Sequence, residues 1–433
     1  VQEYASKINI YSELTLRIQR DLAGGHGKFQ NCSTVEVSEK VKRKHLIITN
    51  GTVVTDELIA QGTVVTIGDR IMYVGSEEEG EKIKKAAIPG VFEIIDAQGG
   101  FIAPGLIDVH MHGSAGLELM DGTEEAVRTM ARYLAEWGTI AFLPSTVTAT
   151  KDRTRAVAQL VADYTGSPDE AEVLGIHLEG PYINEQYKGA QYGPAIRQAD
   201  LRELEELYGI LGDKLRLVTL APEMPGSLEA IHWLKERGVI ASIGHTNATY
   251  EEALAGFEAG ITHATHTYNG MRGLHHREPG ALGAILATPG IWAELIGDLV
   301  HVHPGAIRVL LRSVGVDRVV LVTDAVQSTG LPDGEYMLGD QEIIVQGGAA
   351  RLKEGNLAGS TLTMLRAVHT MIQALDVSIP DAFRMASHNP AQSIDLGDMG
   401  WIQEGNRADF VILTENFEVQ KTIIAGRIAY SAD

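Results

Sequence analysis

The chain has 433 residues, 44% of them hydrophobic, with 57 Asp and Glu against 36 Lys and Arg and a formal net charge of -21. Such a length suits one large domain with a smaller one, or two medium domains. The acidity excludes the basic footprint of a nucleic-acid binder and argues against anionic membrane surfaces, but a small anionic substrate can still occupy a locally basic pocket.

Residues 1 to about 44 carry little signal. ASKINIYSELTLRIQRDL has a helical texture that GGHGKFQN breaks, and a loosely attached extension is expected. Cys32, the sole cysteine, lies in this polar stretch, so an internal disulfide and a cysteine metal cluster are both excluded. The start lacks a basic segment followed by an apolar one, so no signal peptide is expected and the default location is cytoplasmic. From Lys44, HLIITNGTVVTD, GTVVTIGDRIMYVG and FEIIDAQGGFIAPG are β-branched runs between Gly, Asn and Asp turns, which predict a small antiparallel β unit.

After Gly105 apolar strands alternate with amphipathic helices. Strands are predicted to end at LIDVHMHG, TIAFLPSTVT, VLGIHLEGP, LRLVTLAPE, VIASIGHTN, THATHTYNG, WAELIGD and VVLVTDAV. Helices fall between most of them, while a long Gly- and His-rich loop is expected between the sixth and seventh strands. GALGAILATPGIWAELIGDLV is interrupted by Pro289, Glu294 and Asp298 and does not read as a membrane span. The tail ADFVILTENFEVQKTIIAGRIAYS returns to short β runs. The expected fold is α/β: a (β/α)8 TIM-like barrel over 106–394, with a small flanking β-sandwich domain built from 45–105 and 395–433.

In such a barrel, functional groups collect where strands end. The first strand ends in His110 and His112, the third in Glu179, the fifth in His245, the sixth in His266 and the eighth in Asp324. Nitrogen and oxygen ligands without thiolate suit a divalent ion, with zinc the first choice and iron, manganese or cobalt as alternatives. Each residue also has an ordinary reading. A strand histidine is commonly packed core, and Asp324 alone would pass for a turn cap. Their joint placement is what points to a metal. His263 and His266 are three apart, which predicts opposite sides of a strand, with His266 inward and His263 structural. His177 shares a face with Glu179 but lies deeper, and is expected to support the site from behind.

A metal lowers the pKa of bound water from about 15.7 to roughly 7 and so supplies hydroxide. Asp324 is the candidate to take its proton and deliver it to a leaving group. Asn269 and Gly270 at the end of the sixth strand, Arg277 in LHHREPG and His301 in GDLVHVHP read as an anion site. An ordinary ion pair between Arg277 and a neighbouring Glu serves that residue equally well.

In order along the chain, PGLIDVHMHG, HLEGPYIN, TLAPE, IGHTNAT, THTYNGM, REPG, HVHP, LVTDA, LAGSTLTM and ASHNPA resemble the N-acetylglucosamine-6-phosphate deacetylases of the amidohydrolase superfamily. The resemblance implies release of acetate from N-acetylglucosamine 6-phosphate. Glu179, His245 and His266 match the main metal ligands, and Asp324 the acid/base. Asn269, Gly270, Arg277 and His301 match substrate and phosphate contacts. It also implies a homodimer in which Arg277 reaches the neighbouring subunit's site, and, with His110 and His112 present, one or two metals per subunit. Where the family commonly has KGAH, this chain has KGAQYG, so Gln191 replaces a substrate-contacting histidine and cannot become cationic. A related N-acetylhexosamine phosphate, a cyclic-amide hydrolase or deaminase, and a non-catalytic sugar-phosphate sensor are the alternatives.

Overall fold

The alternating runs after Lys44 do form strands. In a computed structural model, which describes residues 45–87 and 91–432, His45–Val54, Leu58–Ile67 and Arg70–Ser76 pair in an antiparallel meander. The helix Glu77–Ala86 then crosses over. It returns the chain in the original direction, so Phe92–Asp96 and Phe101–Pro104 pair parallel to His45–Val54, where an antiparallel unit was expected. From the far end of the chain, Phe410–Leu413 pairs with Phe101–Pro104 and is followed by Val419–Ile424 and Arg427–Ser431. The result is one mixed eight-stranded sheet. Leu46, Ile48 and Val64 from one half pack with Phe410, Ile412 and Ile423 from the other. The predicted N-terminal helix and Cys32 lie outside the described residues.

The eight predicted α/β strands are all present: β1 Leu106–Met111, β2 Thr139–Pro144, β3 Ile176–Glu179, β4 Leu215–Leu220, β5 Ile240–Ile243, β6 His263–Ala264, β7 Trp292–Ile296 and β8 Val319–Val322. β1 and β2 pair in one parallel sheet, and β3 to β8 pair in sequence order in another. Single parallel bridges, Ser145 with His177 and Met111 with Ala325, link the two into a curled arrangement. Every residue of β1, β2, β3 and β8 is buried, as expected for parallel strands covered on both faces. Burial of each Leu, Ile or Val of this core contributes about 1.5–3 kcal/mol.

The connecting helices begin where their caps dictate. Thr123, Thr150, Asp200 and Thr249 each accept a first-turn N–H, starting the helices Glu124–Glu136, Lys151–Asp163, Leu201–Leu211 and Tyr250–Ala259. Two features depart from expectation. The link between β6 and β7 is not all loop: it ends in the helix Gly280–Ala287, whose Ala- and Leu-rich composition hides any amphipathic stripe because nearly all of it is buried. After β8 comes an unanticipated antiparallel sheet of Gly334–Leu338, Gln341–Gln346 and Ala349–Leu352. Its signal was present in EYML-GD-QEIIVQ-GG-AARL, two tight turns between alternating runs.

Candidate active site

The six expected metal-site residues meet at the carboxyl ends of the parallel strands. His110 lies in β1 with His112 just beyond it, and Glu179 is the last residue of β3. His245, His266 and Asp324 each follow their strand by two residues, with φ of 47°, 29° and 50°. Positive φ is uncommon in residues other than glycine and concentrates at functional sites. Here it turns each side chain inward after the strand has ended. The alternation argument for His263 and His266 therefore fails, because β6 stops at Ala264. Both histidines are buried: His266 faces Glu179, and His263 Nε2 lies 3.3 Å from Glu294 Oε1.

Each of the four imidazoles places Nδ1 on an oxygen that can only accept. His245 Nδ1 is 2.8 Å from the Tyr187 carbonyl, and His266 Nδ1 is 3.1 Å from that of Asn269. His112 Nδ1 is 3.2 Å from the Ser145 carbonyl, and His110 Nδ1 is 2.9 Å from Glu294 Oε2. Nδ1 therefore carries the hydrogen in all four, and each Nε2 turns a lone pair to the centre. His245 Nε2 and His266 Nε2 are 3.1 Å apart, and each is 3.0 Å from Glu179 Oε1. Three lone pairs converge with no donor among them, an arrangement only a cation or an added proton relieves. Beside it, His112 Nε2 is 3.1 Å from Asp324 Oδ1 and 3.3 Å from Glu179 Oε2, and the buried His110 Nε2 has no hydrogen-bond partner among the described residues. The groups Glu179–His245–His266 and His110–His112–Asp324 each have the donor set of a zinc-like divalent ion.

The local field agrees. Burial alone would lower the His112 pKa, yet the protonated Nε2–H can donate to the Asp324 and Glu179 carboxylates, which raise it to about 9. His110 is likewise held well above the ordinary range, against burial, by Glu294, Glu179 and Asp324. Burial pushes the Glu179 and Asp324 carboxyls upward, but the neighbouring imidazoles, led by His110, leave both below the usual range. His177 behaves as expected of a residue behind the site. It is driven well below the imidazole range by burial and by His110, and it bonds Ser145 Oγ at 3.0 Å and Thr219 Oγ1 at 2.7 Å.

A cavity of about 420 Å³ opens onto this centre, lined also by Gln191, Asn269, Gly270 and His301. Asn269 Nδ2 is buried without a partner among the described residues, which suits a contact to a ligand oxygen. Gly270 has φ 58°, and a Cβ there would stand 3.0 Å from His245 Nδ1 and 3.4 Å from His266 Cε1, so only glycine leaves both rings undisturbed. His301 Nδ1 is 2.7 Å from Asp298 Oδ2. Gln191 lines the cavity, but its amide is engaged: Nε2 donates to Glu179 Oε2 at 2.5 Å and Oε1 accepts the Thr148 N–H at 2.6 Å. Arg277 is not brought to the cavity. It is exposed, makes no ion pair among the described residues, and places Nη1 2.7 Å from His276 Nε2.

Sequence reasoning missed three contributors. Glu294 passed as an interruption in an apolar run; a lone buried carboxylate mid-strand was the available signal. Asp108, raised by burial to about 6, accepts from Thr323 Oγ1 at 2.5 Å and so holds the turn before Asp324. The added sheet brings Leu338 and Arg351 to the cavity wall. A second groove of about 490 Å³, lined by Tyr133, Trp137 and Phe417, gathers no carboxylate with its Arg366 and His369, so the chemistry favours the first cavity.

A curled parallel sheet with a buried histidine–carboxylate centre at its carboxyl edge defines a metal-dependent hydrolase. The chain belongs to the amidohydrolase family, whose profile matches residues 101–429, and within it to the N-acetylglucosamine-6-phosphate deacetylases. It is 42% identical to the N-acetylglucosamine-6-phosphate deacetylase of Vibrio furnissii, over 76% of this chain and 83% of that one. It is 41% identical to the N-acetylgalactosamine-6-phosphate deacetylase of Escherichia coli O157:H7, over 76% of this chain and 87% of the relative. A solved structure of N-acetyl-D-glucosamine-6-phosphate deacetylase from Mycobacterium smegmatis, in complex with N-acetyl-D-glucosamine-6-phosphate, matches with a TM-score of 0.81 and 31% identity, covering 90% of this chain and 100% of that one.

Proposed function

We propose that the chain hydrolyses the acetamido group of N-acetylglucosamine 6-phosphate to glucosamine 6-phosphate and acetate. The observation that carries this is the convergence of Glu179 Oε1, His245 Nε2 and His266 Nε2 on one point, with Asp324 beside it, at the floor of a sugar-sized cavity. Those three residues would hold a divalent ion, and His110, His112 and Asp324 a second; zinc fits best, with iron, manganese or cobalt as alternatives. The ion, when bound, supplies Lewis acidity that lowers the pKa of water and polarises a carbonyl. Asp324, kept ionised by the imidazoles, takes the proton of the attacking water and passes it to the departing amine. Gln191 fixes Glu179 and faces the acyl end of the cavity. Asn269 and Gly270 meet the sugar phosphate, with His301 oriented by Asp298.

Arg277, standing outside its own cavity, serves the site of a second subunit in a homodimer. The curled sheet is read as a (β/α)8 TIM-like barrel over 106–394, flanked by a small sandwich-like domain of 45–105 and 395–433, in a cytoplasmic enzyme. No helix among the described residues is long and apolar enough to cross a membrane. The near-equal identity to an N-acetylgalactosamine-6-phosphate deacetylase favours one second reading, the C4 epimer as substrate. Acetate release from both phosphorylated sugars and from unphosphorylated N-acetylglucosamine tests the reading. Turnover of a phosphorylated sugar far above the unphosphorylated one is expected; indifference to the phosphate would remove the proposed anion contacts.

A further inference from the structure

Three of the four imidazoles at the centre rest Nδ1 on a backbone carbonyl. His110 is different: its Nδ1 lies 2.9 Å from the carboxylate of Glu294. Glu294 is fully buried within β7, where an ionised carboxylate is costly unless it is well partnered. Its partners are few and specific. Oε2 also accepts the His266 backbone N–H at 3.0 Å, and Oε1 lies 3.3 Å from His263 Nε2. On the opposite side of the His110 ring, Nε2, which has no hydrogen bond among the described residues, sits 3.5 Å from Glu179 Oε1 and 3.7 Å from Asp324 Oδ1.

A carboxylate behind a ligating imidazole fixes the Nδ1–H tautomer, holds the ring plane and makes Nε2 a stronger donor. We propose that Glu294 is a positioning residue that turns His110 into an ion ligand, so that the His110–His112–Asp324 group of this chain holds its divalent ion through Glu294. The His266 backbone N–H that Oε2 also accepts helps to hold the carboxylate in line with the His110 ring. His263 Nε2 flanks the far oxygen at ion-pair distance, without a hydrogen bond to it. This inference rests on the reading that the centre binds metal, and it goes further in assigning one residue to one of two ions. A role confined to a Glu294–His263 core pair would alter stability and leave metal binding unmoved.

The test is zinc titration of metal-stripped full-length protein against a chromophoric chelator, with thermal melts alongside. Wild type is expected to take up two zinc ions. Glu294→Leu is expected to keep one at wild-type affinity and to bind the other about ten- to a hundred-fold more weakly, matching the site lost in His110→Asn. Glu294→Gln retains an acceptor without the charge, and a smaller loss at the same site is expected. Wild-type affinity for both ions in folded Glu294→Leu overturns the inference; should that variant not fold, unchanged affinity in Glu294→Gln does so. A single zinc in wild type also overturns it, while the deacetylase reading, which needs one ion, is judged separately by acetate release.

Discussion

The two ends of the cavity are built differently. At the histidine–carboxylate end, six side chains from five strand ends are buried and close together, in two groups that could each hold a metal ion. At the loop end, Asn269 and His301 line the cavity, but Arg277, the cation expected to meet a phosphate, is not among its lining residues and bonds His276 instead. A strand end fixes a residue through the whole sheet behind it; a long loop fixes one only through what it packs against. The first end therefore draws all its groups from one chain, while at the second the expected Arg277 does not line the cavity, and we propose that a neighbouring subunit supplies it.

The largest expected effect lies at the histidine–carboxylate end. Asp324→Asn should lower kcat for acetate release by about 10²–10⁴-fold, the range of general acid–base catalysis, with KM little changed and the Glu179–His245–His266 group still loaded by metal analysis. A drop in metal content that accounts for the whole loss would make Asp324 a ligand only. The next effect separates the two ends. Arg277→Ala should raise KM for the phosphorylated sugar by about ten- to a hundred-fold, the equivalent of a charged hydrogen bond of about 1.5–3 kcal/mol. Mixing it with Asp324→Asn, under conditions that exchange subunits, should restore activity above either parent, since one hybrid site then has both residues. No recovery would place Arg277 outside the neighbour's site.

The smallest effect concerns the added sheet that walls the cavity. Burial raises the Glu118 carboxyl to about 7, even though Oε1 accepts the Gly339 N–H at 2.8 Å. A carboxyl whose folded pKa is raised contributes stability below its unfolded pKa and loses it as pH rises through about 7. Glu118→Gln keeps an acceptor for Gly339 and removes that loss. Its unfolding free energy should therefore gain on wild type as pH rises from about 5 to about 8, by no more than about 3 kcal/mol. A gap that stays constant with pH would show that Glu118 does not titrate in that window.

The histidine–carboxylate end was largely legible in the sequence for a physical reason: each candidate ligand sits near, at or just past a strand terminus, and strands are marked by local apolar runs. HMH, HLEGP, GHT, THT and TDA could all be placed that way. The positive-φ turns at His245, His266 and Asp324 could not, because they are imposed by tertiary partners far away in sequence. Glu294 was hidden for the same reason, since its value lies in facing His110, 184 positions earlier. The β unit was found, but its parallel pairings depend on a helical crossover that pairing propensity does not reveal. At the loop end the motifs were visible while the destination of Arg277 was not.

The most direct test of the central claim is acetate release from N-acetylglucosamine 6-phosphate by chelator-stripped protein as zinc is returned. Activity should be lost on stripping and should rise in step with bound zinc in wild type, but not in Glu179→Gln. Full activity in protein shown to be metal-free would contradict the claim that the converging imidazoles and carboxylates exist to hold an ion.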